Sequence, residues 1–95
     1  MTDIVLNKLR EIFNKHDPVG IYMSDDVNVD EYDPEIKDVQ KSFHPNVEPK
    51  KFTKNVKVIF DKWFGKGFAS DSAIETLTNE VHEYLLTVQP VHNVK

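Results

Sequence analysis

Apolar residues recur at three- and four-residue steps in four separate stretches of this 95-residue chain, a spacing that constrains the fold more than any other feature. Val5, Leu6, Leu9, Ile12 and Phe13 make the first stripe, and Ile36, Val39 and Phe43 the second. Phe52, Val56, Ile59, Phe60, Trp63 and Phe64 make the third, and Ile74, Leu77, Val81, Tyr84, Leu85 and Val88 the fourth. Each stripe lies along one face of a helix, which has to be buried against the others. The spacing therefore predicts an all-α fold: a compact antiparallel four-helix bundle with an ordered acidic loop between its first two helices. A chain of this length has room for one such core, so residues 1–95 read as a single helical domain.

Proline, glycine and small polar residues punctuate the stripes. Thr2 or Asp3 is placed to cap the first helix, and His16-Asp17-Pro18 ends it, because the residue before a proline is pushed out of the α region. Asp17-Pro18-Val19-Gly20 has the pattern of a type I turn. The stretch from Ile21 to Tyr32 alternates only briefly, at Val27 and Val29, and reads as an ordered loop. Asp33-Pro34-Glu35 starts the second helix with Asp33 as its cap, and His44-Pro45-Asn46 ends it. Glu48-Pro49 opens the third helix and Gly65 closes it, with Phe68 expected to fold back on its aromatic end. Phe52, Phe60, Trp63, Phe64 and Phe68 are accordingly expected in the core. Ser72-Ala73-Ile74-Glu75 is a capping box for the fourth helix, Ser70 with Asp71 offers an earlier start, and Pro90 ends it.

The formal charge of −4 is the remainder of two opposed stretches. Asp25, Asp26, Asp30, Glu31, Asp33, Glu35 and Asp38 face a single base, Lys37, within their segment. Lys41, Lys50, Lys51, Lys54, Lys57, Lys62 and Lys66 then outnumber Glu48 and Asp61. The lysines lack arginine partners in an acidic chain, so nucleic-acid binding is not expected and a solvated helix face is. Tyr22 and Tyr32 sit among the acids, where a tyrosine serves either as an interface anchor or as a ring that holds the loop against the bundle.

Tests for chemistry return little. Without cysteine there is no disulfide and no thiolate-ligated metal. Asp26, Asn28 and Asp30 match the first, third and fifth positions of an EF-hand loop, but Glu31 stands where glycine is needed and Lys37 where the bidentate glutamate is needed. His16, His44, His82 and His92 are scattered, and His82 meets Glu80 or Glu83 only as surface neighbours. His16 instead suits the negative end of the first helix. No nucleophile elbow or phosphate-binding glycine loop is present, and the exposed acids lack the burial that tunes a proton donor, so no catalytic residue, cofactor or metal is assigned. No apolar run approaches the ~20 residues of a membrane span, and charges interrupt the apolar N-terminus, so a cytoplasmic protein is expected.

The segments His16-Asp17-Pro18-Val19-Gly20-Ile21-Tyr22 and Asp30-Glu31-Tyr32-Asp33-Pro34-Glu35-Ile36 resemble a family of small bacterial helical proteins of unknown function. In that family a helix is followed by an aspartate-proline-x-glycine turn and then by a glutamate-tyrosine-aspartate-proline-glutamate helix start. The size and charge also resemble those of immunity proteins encoded beside secreted toxins, including contact-dependent inhibition systems. That resemblance implies a protein-binding, non-catalytic role: neutralising a cognate toxin, a basic domain, through an acidic patch. The patch comprises Tyr22, Asp25, Asp26, Asp30, Glu31, Tyr32, Asp33, Glu35 and Asp38. Two alternatives stand beside it: a divalent cation held by the acidic loop, and a structural or regulatory interaction module in which Asp17, Pro18, Gly20, Tyr32, Asp33 and Pro34 only build the turn and the helix start.

Overall fold

Four helices form where the stripes place them in the computed structural model, which describes residues 3–21, 23 and 30–88. They are α1 (Asp3–His16), α2 (Asp33–Ser42), α3 (Pro49–Phe64) and α4 (Asp71–Thr87). The assignments made to Thr2, to the Val27 and Val29 alternation and to Pro90 lie outside the described residues. None of the described helices is long and apolar enough to cross a membrane.

The helix ends follow local chemistry, with two changes from the sequence expectation. Asp33 is the first residue of α2 and not its cap; Tyr32 holds the cap position without a side-chain bond, and Pro34 occupies the first turn. The Asp33 carboxylate is instead drawn to an arginine on α1, an ion pair that outweighs a local capping bond. At α4 the Ser70 hydroxyl accepts the Ala73 N–H at 3.1 Å, so the earlier start prevails and the Ser72 capping box is not used. Gly65 closes α3 at φ 108°, a backbone conformation that suits glycine, and its N–H donates to the Asp61 carbonyl.

Packing runs in a closed cycle, α1 on α2, α2 on α3, α3 on α4 and α4 back on α1, which makes a helical bundle. Leu9, Ile12 and Phe13 of α1 meet Ile36 and Val39 of α2, Phe52, Val56 and Phe60 of α3, and Ile74, Leu77, Val81 and Leu85 of α4 in one core. Each such side chain contributes about 1.5–3 kcal/mol when taken fully from water. The Phe13 and Phe60 rings stack across the centre at 6.2 Å. α2 stops at Ser42, and Phe43 follows in extended backbone, its ring edge-on to Phe52 and to His82 at 5.5 Å each.

Three residues depart from their expected places. Trp63 and Phe68 are 46% and 62% exposed and do not join the core: the Trp63 indole N–H is held at the surface by the Asp38 carboxylate, and Phe68 sits in the turn after Gly65, its N–H donating to the Gly65 carbonyl at 3.1 Å. His82 is buried and no surface neighbour of Glu80; its Nε2 donates to the Val47 carbonyl at 3.0 Å between α2 and α3. That bond satisfies a ring nitrogen which burial would otherwise leave without water.

Candidate functional site

Asp17 and Tyr32, one from each motif segment, meet where α1 hands over to α2. Asp17 adopts the left-handed backbone region at φ 44° and ends α1, its N–H donating to the Phe13 carbonyl at 2.7 Å. Its own carbonyl accepts the Gly20 N–H at 2.9 Å, which closes the four-residue turn read from Asp17-Pro18-Val19-Gly20. Its carboxylate Oδ1 accepts the Ile21 N–H at 2.9 Å and the Tyr32 hydroxyl at 2.8 Å. The Tyr32 hydroxyl in turn accepts the Val19 N–H at 3.2 Å. One tyrosine thus ties the start of the connection to its end.

The rest of Tyr32 lies in the core. Its ring is 1% exposed and packs 5.9 Å from Phe13, 6.2 Å from Phe60 and 6.3 Å from Phe64. Burial pushes its hydroxyl pKa well above the ordinary tyrosine value, and the adjacent Asp17 carboxylate adds to the rise. The ring is therefore a neutral clamp and is not on the surface.

Three further acids of the patch are committed to packing. Asp33 grips Arg10, the only arginine in the chain, through Nε to Oδ1 at 2.9 Å and Nη2 to Oδ2 at 2.6 Å. This two-pronged geometry needs a guanidinium, and a lysine in its place could not reproduce it. Asp38 accepts the Trp63 indole N–H at 2.8 Å and lies 3.6 Å from the Lys62 ammonium. The indole bond, with help from Lys62 and Lys41, holds its carboxyl below the ordinary value. Glu35 is 3% exposed, and its Oε1 meets no hydrogen-bond donor. Burial pushes its carboxyl above the ordinary 4.5, and the negative charges of Asp38, Glu31 and Asp33 push the same way.

Asp30 and Glu31 differ from these, since both are exposed and neither enters an ion pair among the described residues. Met23, in the same connection, is also exposed. Tyr22, Asp25 and Asp26 lie outside the described residues, as does Asn28 of the partial calcium-loop spacing. Among the described residues no three histidines or acids converge on a point that could hold a metal ion.

No protein-family model, curated protein or solved structure matches this chain.

The geometry therefore divides the sequence-predicted patch into two sets. Tyr32, Asp33 and Asp38 hold helices together and Glu35 is buried with an unpartnered oxygen, while Asp30 and Glu31 face solvent on a connection clamped at both ends. Arg10, given no role by the sequence, and Trp63, expected in the core, are the partners of these acids. For Arg10 the available signal was its status as a lone arginine among lysines, since a fork is kept where a carboxylate has to be held in two places.

Proposed function

We propose that this chain is a non-catalytic protein-binding domain, an immunity protein that neutralises a basic bacterial toxin through the acidic connection between α1 and α2. The observation that supports this reading is the pair Asp30 and Glu31, exposed and in no ion pair among the described residues, on a connection whose ends are joined by the Tyr32–Asp17 bond. Anchoring lowers the ordering cost of binding, and acids without intramolecular partners steer a cationic surface toward them. Tyr22, Asp25 and Asp26 belong to the same contact set by sequence proximity. Tyr32, Asp33 and Asp38 serve as its scaffold, and Glu35 is buried away from the contact set.

The test sets one variant beside the parent chain, each co-expressed with a basic toxin domain. Replacing Asp25, Asp26, Asp30 and Glu31 together by lysine is expected to leave the helical circular dichroism intact. The same change should abolish protection of toxin-expressing cells and flatten the salt dependence of binding. Protection that survives the quadruple change would overturn the assignment.

A further inference from the structure

Away from the acidic connection, α3 and α4 leave an open seam along their outer face. It runs from Val58 and Ile74, past Thr53, Lys54 and Glu75, to Asn79, Glu83 and Leu86. Val58 and Leu86 are 64% and 44% exposed at its two ends, large apolar side chains that a monomer leaves in water. Its two lips carry opposite charge. Lys50 and Lys54 stand on the α3 side, Glu75 and Glu83 on the α4 side. All four are exposed, and none forms an ion pair among the described residues. Lys57, which also lines the seam, is already held by Asp71 at 3.2 Å and by the Ala69 carbonyl at 2.9 Å.

A basic lip beside an acidic lip with an apolar floor between them is self-complementary under one symmetry operation. A two-fold axis running along the seam exchanges the lips, so α3 of one copy lies over α4 of the other and residues at the same height face each other. Lys54 and Glu75 are at the same height, since both line the same two stretches of the seam. A two-fold axis across the helices would set lysine on lysine and acid on acid. We propose that this face is the two-fold interface of a homodimer, in which Lys54 of each copy meets the partner's Glu75 while Val58 and Leu86 are covered.

The face is small. Two helices about 10 Å wide and about 24 Å long present on the order of 500 Å² per copy, near the lower limit of a specific interface. The association is therefore concentration-dependent. Sedimentation equilibrium over roughly 5–500 µM, the range in which small interfaces dissociate, should show the mass rising from one chain to two. Lys54→Glu alone, and Glu75→Lys alone, each place like charges opposite one another and should weaken the dimer at least ~10-fold. The double variant Lys54→Glu/Glu75→Lys restores opposite charges and should return the dissociation constant to within ~3-fold of the parent. Far-UV circular dichroism checks that these exposed changes leave the helices intact. A one-chain mass at every concentration, a dimer indifferent to both single changes, or a double variant as weak as the single ones would each overturn the proposal.

Discussion

Tyr32 carries two jobs in one side chain, and they can be separated by a single oxygen. Its ring fills the centre of the bundle against Phe13, Phe60 and Phe64, while its hydroxyl joins Asp17 and Val19. Tyr32→Phe keeps the ring and leaves the Val19 N–H without its acceptor. Urea denaturation should show a loss of about 1–2 kcal/mol, the usual cost of an orphaned partly buried group. Faster hydrogen exchange at the Val19 and Ile21 amides should accompany it. Loss of stability without faster exchange there would mean that the hydroxyl does not clamp the connection. The sequence left this tyrosine open between interface anchor and packed ring. Residues Asp17 and Tyr32 are fifteen positions apart, and no local rule states that their oxygens meet.

At the scale of the element, helix identity was legible and helix ends were partly so. Ser70 and Ser72 both fit the start of α4, and a local pattern cannot choose between hydroxyls two residues apart. The structure chooses Ser70, which bonds the Ala73 amide, while Asp71 opens the helix beside Lys57 of α3. Ser70→Ala should cost about 1 kcal/mol in thermal or chemical denaturation, and Ser72→Ala should fall within about 0.5 kcal/mol of the parent. Equal effects would return the cap to Ser72. Each contact between neighbouring helices also carries at least one ion pair: Arg10–Asp33, Lys62–Asp38, Lys57–Asp71 and Lys15–Glu80, the last joined by His16. Exposed pairs contribute little stability, about 0–1 kcal/mol each, and act more to fix which face meets which. One of them, Lys62–Asp38, joins the acidic stretch of the sequence to its basic one.

For the whole molecule, acids in two environments bend the pH dependence in opposite directions. Glu80 is held by Lys15 and His16, which lower its pKa, so its contribution is present above the ordinary 4.5 and is lost as pH falls through the lowered value. Glu35 is buried with its pKa raised, so the folded state binds its proton more tightly than the unfolded chain does. Its contribution is full below 4.5 and is lost as pH rises through the raised value. Glu35→Met removes the buried charge and the orphaned oxygen while keeping the side chain's length. It should raise stability by on the order of 1 kcal/mol at pH 7, measured by urea denaturation, and the gain should shrink as the pH falls toward 4. A gain that does not depend on pH would mean that packing, and not ionisation, sets it.

The sequence by itself determined the number of helices, their apolar faces, the turn at Asp17 and the unequal distribution of charge. These depend on spacing within a few residues, which local backbone geometry translates directly into a face or a bend. Only the tertiary structure decided that Tyr32, Asp33 and Asp38 belong to the scaffold, that Glu35 is buried, that Trp63 and Phe68 stay exposed, and that Asp30 and Glu31 enter no ion pair among the described residues. Those outcomes depend on which distant group arrives within about 3 Å of a carboxylate or covers a ring, and such distances are set by helix packing.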